Sequence, residues 1–223
     1  MAIRAESKSK NKIVHELMDV KFEQGYERVR SHLLKSAELK RQVIDSCIDS
    51  IFQASHVIID SLRSGGKLLL CGNGGSAADC QHMATEFVSL LNSNFNRPAM
   101  GAIALTTDTS FLTAFSNDVG FEGVFARQVQ ALGHPEDVLA GISTSGNSLN
   151  VIRAVEAAQA TNMRTIVLTG LGGRLANMAD VAIIVPSGNT QYVQEAHLAI
   201  EHILCDLVEH QLFRQDDRVN EFL

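Results

Sequence analysis

The sequence predicts an α/β fold: a three-layer sandwich with a five-stranded parallel sheet, preceded by N-terminal helices. Two observations predict it. Five short runs, "KLLLC" (67–71), "AMGAIAL" (99–105), "DVLAGIS" (137–143), "RTIVLTG" (164–170) and "VAIIVP" (181–186), are apolar nearly throughout. Strands buried on both faces read this way, whereas half-exposed strands alternate. Helix-like stretches separate the runs, at 76–92, 121–132, 148–161, 174–179 and 190–213. Strand–helix repetition of these lengths implies parallel pairing through right-handed crossovers. In such open sheets ligands bind beyond the C-terminal ends of the strands.

Ahead of the first strand, residues 12–63 contain no proline, and apolar residues recur at three- and four-residue steps: Ile44, Cys47, Ile48, Ile51, Phe52, Val57, Ile58, Leu62. That is a helical period. Gly25 and the polar stretch around Ser36 are expected to divide it into two or three helices, and "SGG" at 64–66 to end it. Such an arm serves either as an oligomerisation element or as a helix pair covering one sheet face. The expected organisation is a flexible N-terminus at 1–11, the helical arm at 12–64, the α/β domain at 65–215 and a C-terminal tail at 216–223.

Composition narrows the function. A formal net charge of −6, no Trp and only 2 Tyr argue against a nucleic-acid partner. The four cysteines (Cys47, Cys71, Cys80, Cys205) form no C-x-x-C pair and read as reduced, buried residues of a cytosolic protein. "MAIRAESKSKNK" has no apolar signal core, and no run approaches the ~20 apolar residues of a membrane span. A soluble, cytoplasmic protein with no membrane partner is expected.

Three turns follow strand ends. In "CGNGGSAAD" the glycines permit close approach of a ligand to the backbone, and Ser76 is expected to cap a helix whose N-terminus attracts anions. The turn is neither G-x-G-x-x-G nor a Walker motif; its plainer reading is a tight strand-to-helix connection. In "GISTSGNSLN", Ser143, Thr144, Ser145 and Ser148 place four hydroxyls in six positions. A cap needs one hydroxyl, so four favour a neutral phosphate cradle at a helix start. The third turn, "LTGLGGRLA", reads as structural.

His82 and Glu86 stand four apart on the helix opened by the first turn and share a face. Such a pair relays protons or holds a divalent metal, or is simply an exposed polar pair. The last helix offers Gln194, Glu195, His197, Glu201, His202 and His210. Gln194, His197 and Glu201 form one stripe, Glu195 and His202 another, and spacing alone does not choose between His197 and His202. Asp79 is a further polar candidate; His56, His134 and His210 read as surface or packing residues.

Taken together, "CGNGGSAADCQHMATEF", "SNDVGFEGVFARQV", "GISTSGNS" and "QEAHLAIEH" resemble, in order and spacing, the sedoheptulose 7-phosphate (phosphoheptose) isomerases of the sugar-isomerase (SIS, flavodoxin-like) fold. The likeness runs from about residue 45 to 213. It implies Glu86 as catalytic base and His202 as its acid/base partner. It implies zinc on His82, Glu86, Gln194 and His202, and a phosphate loop of Ser143, Thr144, Ser145 and Ser148. Substrate contacts would come from Asn73, Gly74, Gly75, Ser76, Asn117 and Asp118, as well as Glu86 and Gln194. It also implies a homotetramer acting on a sugar phosphate. One departure stands out: "VSLLNSNFNRP" lacks the family's basic Gly-Arg-aromatic segment, and Arg97 is its only cation. "FARQVQALGHPEDVLAGIS" and "CDLVEHQLF" also resemble a non-catalytic tetrameric branch that binds the replication initiator, and a sugar-phosphate sensor is a further alternative. The non-catalytic branch lacks the carboxylate and imidazole that stand here at Glu86 and His202, so the enzyme is favoured.

Overall fold

The computed structural model describes residues 2–92 and 95–213, with side chains from residue 22 onward, so the expected tail at 216–223 lies outside the described residues. Helix α1 (Ala2–Arg63) leads into β1 (Leu68–Gly72), α2 (Gly75–Val88), β2 (Ala102–Ala104), α3 (Thr109–Asp118) and α4 (Val124–Leu132). The chain then forms β3 (Val138–Ser143), α5 (Leu149–Ala160), β4 (Arg164–Thr169), β5 (Val181–Ile184) and α6 (Thr190–Phe213). All neighbouring strands are parallel, in the order β2-β1-β3-β4-β5. This is the predicted sheet, and its strand order reverses at the crevice between β1 and β3, where ligands of such sheets bind.

The apolar runs divide between two cores by the period-2 rule of strands. Leu68, Leu70, Ala140, Ile142, Ile166 and Leu168 face the layer of α1, α2 and α6. Leu69, Cys71, Leu139 and Val167 face the layer of α4 and α5. Burial on both faces is why the runs of β1, β3 and β4 are continuously apolar; the edge strands β2 and β5 leave Ile103 and Ile184 exposed.

Three expectations need correction. The arm is one helix, unbroken at Gly25 and Ser36. One interior glycine costs only about 1 kcal/mol, and Ser36 is buried with its hydroxyl bonded to Glu195 of α6, so it contributes a tertiary contact rather than a break. Ser76 is not a cap: α2 starts one residue earlier, its N-cap is Gly74 at φ +57°, and no side chain caps it. Helix α3 falls where no helix was expected. Asp108 caps it by accepting from the Phe111 N–H at 3.0 Å, but its Ser/Thr/Phe-rich sequence is a weak helix former and it buries no residue fully.

The arm covers the sheet through Cys47, Ile51, Ala54, Ile58 and Ile59. It also keeps an exposed apolar stripe of Phe22, Tyr26, Val29, Leu33, Ile44, Ile48 and Phe52. Among the described residues no helix is long and apolar enough to cross a membrane.

Candidate active site

Helix α2 emerges from β1 at the switch point, and α6 packs beside it in the same layer. At Gly75 the backbone runs so close to the Gln194 amide that a β-carbon would collide with it. That approach lets the two helices present side chains to one another. His82 Nε2 lies 2.8 Å from His202 Nε2 and 3.6 Å from Glu86 Oε1. Donor atoms of His82, Glu86 and His202 all fall within 4.8 Å of one another. Two imidazoles and a carboxylate match the three-ligand donor set of catalytic zinc sites, so these residues fit such an ion.

Burial separates the two histidines that spacing left unresolved. His197 is fully buried, on the face that carries Val193, Ala196, Ile200 and Leu204. Its Nε2 is 3.1 Å from the Thr169 carbonyl. Burial drives its pKa down to about 4, against the pull of that carbonyl, so the ring is neutral at physiological pH. His202 lies on the flank of α6 that meets α2. Glu201 is also fully buried, and among the described residues neither of its oxygens has a hydrogen-bond partner. Burial, reinforced by the Asp79 carboxylate, pushes it up to about 8.

Gln194 turns toward Asp79, donating from Nε2 to Oδ2 at 3.1 Å, and burial pushes the Asp79 carboxyl upward. Burial pushes all four thiols up as well, Cys71 to about 12. Buried and held toward the protonated form, they have the character of inert core thiols.

The hydroxyl loop sits at the end of β3, across the switch point from Gly72. Ser148 caps α5 through its backbone alone. Its hydroxyl instead faces Ser143 Oγ at 2.9 Å, and Ser143 Oγ is 3.5 Å from Ser145 Oγ. Three hydroxyls thus converge without being spent on the helix. The third glycine turn braces this loop: the Leu175 N–H donates to the Gly146 carbonyl at 3.0 Å, and the Arg174 N–H to Asn147 Oδ1 at 3.0 Å. Gly146, at φ +65°, leaves no room for a β-carbon, which would sit 2.5 Å from the Gly172 carbonyl.

Asn73 exchanges two 2.8 Å hydrogen bonds with Asn150, a buried polar partner on α5 that sequence reasoning did not single out. Asn117 donates to Asp118 at 2.8 Å at the end of α3. Among the described residues no hydrogen bond ties that pair to the cluster.

A parallel sheet of this order with a hydroxyl-rich loop at its switch point fits a SIS domain, and the family model of the SIS domain matches residues 32–170. The chain belongs to the phosphoheptose isomerase family of SIS-domain proteins. It is 50% identical over 181 residues to the phosphoheptose isomerase of Roseiflexus sp. (strain RS-1), covering 81% of this chain and 91% of that one. The structure of phosphoheptose isomerase GmhA from Neisseria gonorrhoeae matches at TM-score 0.77 and 45% identity, over 82% of this chain and 97% of that one. A phosphoheptose isomerase from Francisella tularensis matches at TM-score 0.80 and 38% identity, over 83% and 98%.

Proposed function

We propose that this chain interconverts sedoheptulose 7-phosphate and D-glycero-D-manno-heptose 7-phosphate through an enediol(ate), supplying the heptose of lipopolysaccharide. The observation that carries this reading is the His82–Glu86–His202 cluster, built by α2 and α6, in a chain whose hydroxyl-rich loop follows β3 across the switch point from β1.

In this reading Ser143, Thr144, Ser145 and Ser148 hold the phosphate with hydroxyls and the N–H groups at the start of α5. A neutral cradle binds an anion at one end of the sugar and so sets where the other end reacts. The chain of the sugar lies over Gly74 and Gly75, with Asn73, Ser76, Asn117, Asp118 and Gln194 as its polar contacts. Glu86 takes the proton from C1 of the ketose and returns it to C2, and His202 exchanges protons with the two oxygens. His82, Glu86, Gln194 and His202 would hold a zinc ion, with the Gln194 amide turning from Asp79. Bound there, zinc supplies Lewis-acid stabilisation of the oxyanion.

The working assembly in this reading is a homotetramer in the cytoplasm. The apolar stripe on α1 supports it, together with a groove of about 410 Å³ between α1 and α6 lined by Val43, Ile48, Phe52, Ile203 and Leu207. Exposed apolar surface of this extent calls for a partner surface, and a second copy of the chain supplies one.

Purified protein should convert sedoheptulose 7-phosphate, lose most activity in a chelator and regain it with zinc, and light scattering on the same preparation should give four chains. A folded protein that binds the sugar phosphate without converting it would overturn the enzyme reading in favour of a sensor or initiator-binding relative. A monomer would overturn the assembly.

A further inference from the structure

Helix α2 ends at Val88, two residues after Glu86, and its last carbonyls have no helical partner. The Ser89 N–H reaches only Thr85. The Glu86 carbonyl is taken instead by a side chain from outside the helix, which also shares the Phe87 carbonyl with the Met100 N–H, itself at 3.1 Å. Arg97 donates from Nη2 to the Glu86 carbonyl at 2.7 Å and from Nη1 to those of Phe87 and Pro98, both at 3.0 Å. Its Nε–H meets Glu209 Oε2 at 2.8 Å. Both charged side chains are 1% exposed. A cation is favoured at a helix C-terminus by the helix dipole, and only a planar guanidinium presents a fork that serves several acceptors at once.

Glu209 is on α6, seven residues beyond His202. Seven residues are two turns, so both side chains lie close to one line along the helix. Arg97 therefore joins the turn that carries Glu86 to the helix that carries His202. On the other side of the cluster, the Gln194–Asp79 bond crosses between the same two helices at 3.1 Å. The cluster stands between two polar cross-links, one of them a fully buried ion pair.

We infer that Arg97, held by Glu209, is a positioning residue that sets the separation of Glu86 from His202. The inference rests on the proposed role of the cluster. It also accounts for the one cation in a segment that departs from the family's pattern: Arg97 is turned into the protein, not toward substrate.

The test must separate positioning from folding, because removing one partner of a buried ion pair leaves the other charge uncompensated and strongly destabilises the fold. The double variant Arg97→Met/Glu209→Leu replaces the pair with apolar groups of similar volume, an exchange that is often neutral for stability. It should still fold, with a melting temperature lowered by the Glu86 and Pro98 carbonyls that lose their donor, and at temperatures well below that melting it should bind zinc about 10–100-fold more weakly in a competition titration and lose kcat by a similar factor. KM should stay within about twofold, since the phosphate loop is untouched. Arg97→Lys keeps the charge for Glu209 without the fork, so it should restore stability but not kcat.

Wild-type zinc affinity and kcat in the folded double variant, or full kcat in Arg97→Lys, would overturn the inference. If the wild type binds zinc but converts no sugar phosphate, the functional reading fails alone, and the zinc titrations still decide the positioning role. A wild type that does neither overturns both.

Discussion

Replacing Glu86 by Gln is expected to lower kcat for sedoheptulose 7-phosphate by about 10²–10⁴-fold, the usual contribution of a positioned acid/base group, with little change in melting temperature. Gln keeps the size of the side chain but cannot accept a proton from carbon. Stability should hold because the anchoring contacts belong to the neighbours: Phe87 is fully buried in the core, and Arg97 grips the backbone carbonyl of Glu86 rather than its carboxylate. KM should change little, because phosphate binding is assigned to the loop at the end of β3. Steady-state kinetics beside a melting curve check this. A Glu86→Gln enzyme within tenfold of wild-type kcat would remove the carboxylate from the mechanism.

The second large effect concerns stability. Burial holds Glu201 protonated up to about 8, against an ordinary value of 4.5. Between these values the unfolded chain has lost a proton that the folded chain keeps, so stability falls as pH rises from about 4.5 to about 8. His197 acts in the opposite sense: its pKa drops from 6.5 to about 4, so stability rises with pH across that window. The two slopes offset one another below pH 6.5; above it the Glu201 decline is unopposed by His197, and the raised thiols add to it only as pH nears their ordinary value of 9.0. Glu201→Leu should remove most of the decline and stabilise the chain by on the order of a few kcal/mol at pH 8, since an unpartnered buried carboxylate is costly. Urea unfolding at pH 6.5 and 8.5, with a chelator present to exclude metal linkage, reads both effects. A wild-type midpoint that is flat with pH, or a variant less stable at pH 8, would contradict this assignment.

Legibility followed burial. Strands packed on both faces announced themselves as unbroken apolar runs, and β3 and β4 begin and end within a residue of expectation. Helix α6 spans the predicted 190–213 because one continuous apolar face fixes it. The run at 99–105 shrank to three paired residues, since its first part is occupied elsewhere: the Met100 N–H donates to the Phe87 carbonyl. Helix α3 was missed because its evidence is a single cap and not a buried stripe.

The candidate site divided along similar lines. His82 and Glu86 were legible from a four-residue spacing, and the hydroxyl loop from its density of serines. The preference for His202 over His197 came from resemblance, because both histidines occur within one helical run. Three-dimensional packing supplies the physical reason, placing one ring in the core and the other against α2. Glu209 and Asn150 carried no local signal, and Arg97 stood out only as the lone cation of its segment, with no sign of what it binds. Their partners lie 11, 112 and 77 residues away for Glu86–Arg97, Arg97–Glu209 and Asn73–Asn150, so only the fold brings their functions into view.

The most direct test of the central claim follows the hydrogen that Glu86 is assigned to move. Sedoheptulose 7-phosphate deuterated at C1 would be incubated with wild type and Glu86→Gln, both zinc-loaded and shown to be folded, and followed by NMR. The account predicts that the wild type releases the label to water or delivers it to C2 of the aldose. Glu86→Gln should bind the sugar and leave the label in place. Label moving at the wild-type rate in Glu86→Gln would contradict the account.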